Sequence, residues 1–291
     1  TTEIYTLSLH DALPIFYYWG GFTDLEKELT LAGFPAFTAE VGPISSNWDR
    51  ACELYAFIKG GTVDYGEAHS RNAGHKRYGP TFPGVYPEWG KTDPETGMAR
   101  QIHIIGHSMG GQTARVLVYL LENGAPEEGA SGGENMSPLF LGGKKWVESV
   151  TTISTPHDGT TLLEEKKLFT STEKAVISVI AGLNQLDIFK FDFKLDHFGV
   201  SLSPGEDLLQ YGERVYRYVG GSGITDIGTW DASVEGAAWL NRRVRAAPDV
   251  YYFSIANGNT RPEGAQGHYR PEMDMSFVFQ PAAWFMGSFT K

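Results

Sequence analysis

The chain has 291 residues, of which 41 % are hydrophobic and 20 % charged, and its 24 Lys+Arg against 35 Asp+Glu leave a net charge of −11 at pH 7. That composition excludes a disordered tail. The acidic balance argues against nucleic acid or anionic lipid as the main partner, because phosphates would be repelled. No run of about 18 apolar residues offers a membrane-spanning segment, since the longest, Ala175 to Leu183, is half that.

A single cysteine, Cys52, rules out an intrachain disulfide and any Cys-rich zinc site. A chain this long buries roughly three quarters of its unfolded surface, ample for one large domain. Residues 1–15 carry neither a basic n-region nor a small-residue cleavage site, so they do not read as a signal peptide. They read instead as an edge strand or as sequence foreign to the fold.

From Thr23 the pattern is orderly. Thr23 is the expected cap of a helix over Asp24 to Leu31, which Gly33 and Pro35 stop, and Ala36 to Val41 reads as a strand. Asn47 is the expected cap of a second helix, Trp48 to Ile58, with Ala51, Leu54, Tyr55 and Ile58 on one face. Residues 62–99 show no sustained period, and so long an irregular segment implies a functional loop or an insertion held by something else. Gln101 to Ile105 is a short strand that runs through Gly106-His107-Ser108-Met109-Gly110-Gly111 into a helix over Gln112 to Glu122. Asn123 to Lys145 reads as a solvated loop and Trp146 to Ser154 as a strand. Further helices are expected at Gly205 to Arg214 and Ala232 to Ala246, and a last strand at Val250 to Ile255. Strands alternating with helices predict an α/β fold with a mostly parallel, doubly wound sheet.

The sharpest motif is Gly106-His107-Ser108-Met109-Gly110. A nucleophile at the tip of a strand-to-helix turn needs a strained backbone and small neighbours at −2 and +2, and both are glycine. The turn aims the helix N-terminus and the Met109 N–H at the serine, where they can stabilise an oxyanion. The bland alternative is a Gly-rich turn with an incidental serine. Ser108 would need a histidine base oriented by a carboxylate. His157 reads as a structural turn residue, His197 as a surface residue or the neighbour of a metal, and His268 precedes a strand and loop that could supply an acid. No one of them stands out.

These residues sit within longer blocks: Tyr18-Trp19-Gly20-Gly21, Val41 to Glu53, Gly60 to Gly66, Ile102 to Ser108, Gly110 to Arg115, Thr155 to Thr161 and Asp192 to Asp196. In them the chain resembles the thermoalkalophilic, zinc-containing bacterial triacylglycerol lipases of the α/β-hydrolase fold. The resemblance implies a serine hydrolase of carboxylic esters with Ser108 as nucleophile and Met109 as an oxyanion donor. It implies a lipid or other ester substrate, action at a lipid–water interface and secretion. It places an insertion at about 60–99 and a helical lid at about 162–200, whose helix is Ala175 to Leu183.

The family's structural zinc is held by two Asp and two His, and the resemblance puts these at Asp49, His69, His75 and Asp196. Two carboxylates and two imidazoles close a tetrahedron and tie the irregular segment to the rest of the fold. From spacing alone, His69 and His75 would be two solvated histidines. The family's calcium uses a carbonyl near Asp274, but its carboxylate ligands fall beyond Lys291, so that site is expected to be incomplete. The family's His-Gly-Phe oxyanion segment has no counterpart in residues 1–15, and its catalytic Asp and His also fall beyond Lys291. The chain is therefore expected to be a fragment truncated at both ends, with little or no turnover of its own. An alanine, usual in the family at Gly106, is expected to be harmless. The rival readings are a non-catalytic, zinc-stabilised binding module, a catalytic zinc hydrolase, and an acyltransferase or short-chain esterase on the same scaffold.

Overall fold

A computed structural model describes residues 17, 19–131, 135–163, 194–219, 224–264, 267–275 and 280–289. In chain order the helices and strands are α1 (Leu25–Leu31), α2 (Asn47–Lys59), β1 (Gly61–Asp64), α3 (Glu67–Ala73), β2 (Tyr78–Phe82), β3 (Ile102–His107), α4 (Met109–Asn123) and α5 (Pro126–Ala130). There follow β4 (Val147–Ile153), α6 (Leu208–Val219), α7 (Gly228–Asp231), α8 (Val234–Arg243), β5 (Tyr251–Ile255), β6 (Thr260–Glu263), β7 (His268–Pro271) and α9 (Gln280–Met286).

The central sheet has the order β3-β4-β5, with both pairs parallel. Ile105, Thr151 and Phe253 share one row, and Ile104, Val150 and Tyr252 the next. Parallel neighbours need a crossover, and α4 provides the first. Its stripe Val116, Leu117, Leu120 and Leu121 is buried, as its spacing predicts, in a core that also holds Trp89, Leu139, Phe140 and Val150. On α2, Ala51, Tyr55 and Ile58 are buried in the same core, with Leu54 packed at its margin. The α/β class and the parallel sheet are as expected.

Several local expectations differ. Asp24 rather than Thr23 caps α1, its carboxylate accepting from Lys27 N, and Ser46 rather than Asn47 caps α2, its hydroxyl accepting from Asp49 N. Each cap lies one residue from its expected place because either neighbour is a capping residue type, and backbone geometry decides between them. Ala36 to Val41 is not a strand: among the described residues no partner strand pairs with it, and extended residues need a ladder to become one. The stretch 62–99 is more regular than its composition implies, with β1 and β2 antiparallel around α3. Asn123 to Lys145 is not simply solvated, since it forms α5 and a short 3₁₀ turn and buries Glu128, Leu139 and Phe140. The expected lid helix, Ala175 to Leu183, lies outside the described residues.

Candidate active site and metal centre

Ser108 links β3 to α4 at φ 54° and ψ −130°, a backbone conformation that L residues seldom adopt. It is held there from both sides. Its N–H donates to Ile153 O at the end of β4 (2.9 Å), and its carbonyl accepts from Gly111 N (3.1 Å). The side chain is exposed at the C-terminal edge of the sheet. Met109 opens α4, so its N–H is one of the donors that a helix leaves unsatisfied, at the positive end of the helix dipole.

The glycines around the serine differ in what they do. A Cβ on Gly106 would lie 2.5 Å from the Gly110 carbonyl carbon, and one on Gly111 would lie 2.2 Å from Thr155 Oγ1. A Cβ on Gly110 meets nothing within 4 Å. Smallness is thus demanded at −2 and +3, not at +2. An alanine at Gly106 is not neutral on this backbone, in contrast to the expectation from the family.

Among the described residues, no histidine hydrogen-bonds to Ser108 Oγ. His157 is a structural residue of its turn: its Nε2 lies 3.1 Å from Thr152 Oγ1 and its Nδ1 3.3 Å from an Arg115 nitrogen. Burial and the Arg115 charge hold its pKa below the usual imidazole value. His268 lies in the β6–β7 hairpin, and exposed His107 packs edge-on to Trp19.

The second centre is built from α2, α3, the loop after α3 and the segment before α7. Asp49, His69, His75 and Asp226 each offer one ligand atom, all within 4.8 Å of one another, and could hold a metal ion. His69 Nε2 lies 3.1 Å from Asp49 Oδ1 and 3.3 Å from Asp226 Oδ1, while His75 Nε2 lies 3.2 Å from Asp226 Oδ2. His75 Nδ1 donates to Lys76 O (2.8 Å), because a carbonyl can only accept. In the neutral ring Nε2 then carries a lone pair, directed toward a carboxylate oxygen. Both His75 Nε2 and Asp226 Oδ2 are buried without a hydrogen-bond partner. Two acceptors facing each other call for a cation between them, either a proton or a metal ion. Burial alone would lower the His69 pKa, but hydrogen bonds to Asp226 and Asp49 outweigh it and raise it to about 10.

Neighbouring residues hold the ligands in position. His197, buried, donates from Nε2 to Asp49 Oδ2 (3.2 Å), and Trp48 stacks on His69 at 4.9 Å. The first turn of α3 has no side-chain cap of its own; the Glu128 carboxylate, from α5, accepts from Ala68 N and His69 N at 2.9 and 2.8 Å. This carboxylate fixes the turn that presents His69.

Three of the four expected ligands therefore come together, and the fourth is corrected. Asp196 is exposed in the 3₁₀ turn Asp196–Phe198, and its place in the cluster is taken by Asp226. The turn points its neighbour His197 inward instead, in the metal-neighbour role open to it from sequence. Nothing in the spacing around Asp226 marks it as a ligand, since its partners come from sequence-distant elements. Asp274, where the family's calcium carbonyl was expected, is exposed in the turn after β7.

Comparison with known proteins follows the same outline. The family model described as "Lipase-like, C-terminal domain" matches residues 8–291. A lipase of Staphylococcus epidermidis is 37 % identical over 272 residues, covering 90 % of this chain and 38 % of that protein. The chain thus spans about two fifths of the length of the curated relatives it matches. Among solved structures, lipase 1 from Pelosinus fermentans superposes with a TM-score of 0.82 at 46 % identity, covering 95 % of this chain and 72 % of that one. EstA from Clostridium botulinum gives 0.84 at 47 % identity, covering 95 % and 64 %. With a family match over nearly its whole length and folds this similar, the chain belongs to the bacterial lipase family.

Proposed function

We propose that the chain carries the nucleophile of a lipase-type carboxylic ester hydrolase, with Ser108 as that nucleophile. The observation that supports this most is the backbone of Ser108, a non-glycine residue held at positive φ and exposed at the strand-to-helix turn. Such strain is kept where it serves a function. Ser108 Oγ would attack the acyl carbonyl and lose its proton to a base, while the Met109 N–H stabilises the oxyanion. The alcohol would leave with a proton, and water would release the acid from the acyl-enzyme. The substrate class is a lipid or shorter acyl ester met at a lipid–water interface, and we read the protein as exported, both on the family resemblance.

The metal assigned to Asp49, His69, His75 and Asp226 is zinc. Two imidazole nitrogens and two carboxylate oxygens suit zinc, whereas calcium takes oxygen ligands throughout. When bound it supplies charge neutralisation and a crosslink between distant segments. The chain's own residues do the rest: Glu128 and His197 orient the ligands, and Ser108 and Met109 face the substrate.

Labelling with a small fluorophosphonate tests the nucleophile. Among the described residues no histidine hydrogen-bonds to Ser108 Oγ, and oxyanion stabilisation and binding by themselves still leave roughly 10³–10⁴-fold over water. Slow labelling mapped to Ser108 alone, and lost in Ser108→Ala, is expected. No adduct after prolonged exposure, or an adduct on another serine, favours the zinc-stabilised binding module. Elemental analysis giving well under one zinc per chain removes the metal assignment.

A further inference from the structure

The two carboxylates of the metal cluster belong to segments that both touch the first turn of α4. Asp49 lies two residues beyond Asn47, the first residue of α2, which is 1 % exposed. The Asn47 side chain is divided between two α4 residues: Nδ2 donates to Gln112 Oε1 (3.3 Å), and Oδ1 accepts from Thr113 Oγ1 (2.8 Å). Gln112 in turn donates to Pro156 O (2.8 Å) in the loop after β4, and Thr113 Oγ1 also lies 3.2 Å from Met109 O. Gln112 and Thr113 are themselves buried. From the other side, Asp226 lies two residues before Gly228, whose N–H donates to Ile44 O (2.8 Å). Gly228 abuts Met109 so closely that an added Cβ would lie 2.5 Å from Met109 Cε.

His69 Nε2 already lies within 3.3 Å of both carboxylates, and an ion bound at this centre would set their separation in its place. The two segments wall the first turn of α4 from either side, Gly228 against Met109 and Asn47 against Gln112 and Thr113. We propose that Asn47 is a positioning residue that transmits metal occupancy to the Ser108–Met109 turn, so that the ion governs the reactivity of the serine as well as global stability. This rests on the reading of Ser108 as nucleophile. The physical route is a set of buried hydrogen bonds, in which a displacement of Asn47 takes the partners from its own Oδ1 and from Gln112 Oε1 and leaves the Thr113 hydroxyl to Met109 O.

The experiment compares zinc-loaded and chelator-stripped protein at a temperature well below unfolding. It has two readouts: the rate of fluorophosphonate labelling at Ser108, and amide hydrogen exchange across residues 108–116. Stripping should slow labelling at least tenfold and speed exchange at least tenfold in the wild type. Asn47→Ala and Thr113→Val should still bind zinc yet show the slow, fast-exchanging state with or without it. Thr113→Ser, which keeps the hydroxyl, should behave as wild type. If Asn47→Ala fails to fold, Gly228→Ala probes the same wall from the other side, since it displaces chiefly the flexible end of Met109, and it too should lose the zinc response. Unchanged exchange and labelling on stripping, with only a lower melting temperature, would overturn the proposal. Failure of loaded wild type to label at all would count against the nucleophile alone, and the exchange readout would still decide the coupling.

Discussion

Replacing Asp226 with alanine, alongside the same change at Asp196, decides which carboxylate completes the metal centre. Asp49 and Asp226 are separated by about 180 residues, and the chain-entropy relation for a crosslink gives about 5 kcal/mol for a loop of that length. Mass action gives a similar figure, about 4 kcal/mol when free ion stands at a thousand times Kd. At roughly 2–4 °C per kcal/mol for a domain of this size, the zinc-loaded Asp226→Ala protein should unfold about 8–16 °C below wild type. Chelator should lower wild type by a similar amount and scarcely move the variant. Asp196 is exposed and outside the cluster. Its alanine variant should therefore stay within about 0.5 kcal/mol of wild type. Scanning calorimetry on loaded and stripped samples, with zinc per chain measured in parallel, gives the answer. An Asp226→Ala protein that keeps one ion and the wild-type melting temperature would refute the reasoning, as would an Asp196→Ala protein that loses the ion.

Three further outcomes follow from the same geometry. Ser108→Gly relieves the positive φ and should gain about 1 kcal/mol in urea denaturation while abolishing labelling; a loss of stability would show that the turn is not strained. Glu128→Ala removes the carboxylate that caps α3. It should cost about 1–2 kcal/mol and weaken zinc binding about 10–100-fold by titration calorimetry, and unchanged affinity would dismiss its supporting role. Asp231, whose carboxylate accepts the Asn47 N–H, is raised by burial to about 7 from an ordinary 3.8. The folded state therefore keeps a proton that the unfolded chain has lost between those values. The associated stability is full below about pH 4 and falls as pH rises toward 7. Asp231→Asn should flatten that part of the urea stability curve, and an unaltered slope between pH 4 and 7 would count against the shift.

Much of the site's outline was legible in the sequence because it is local. The Gly-rich turn at Ser108 is set by steric demands within a few residues, and α4 follows from a run of apolar residues at helical spacing. The same reasoning misassigned the cap of α2 by one residue and marked +2 instead of +3 as the crowded glycine. Adjacent residues of similar chemistry differ only in which way the backbone turns them. Ala36 to Val41 shows the limit for strands: its composition permits extension, but pairing needs a neighbour that a linear pattern does not specify.

The metal centre divides in the same way. Asp49, His69 and His75 are expected as ligands from the family resemblance, since spacing alone reads the two histidines as solvated, and they come together because α2 and the β1–β2 hairpin pack close to one another. The fourth ligand depends on where the segment before α7 packs, and only the tertiary arrangement brings Asp226 against His75 while leaving Asp196 in water. A short-range pattern can therefore specify which chemistry a residue offers and the turn that presents it. Which distant carboxylate meets that residue is decided by packing, since buried acceptors that face one another must share a cation and only the assembled fold determines which ones do.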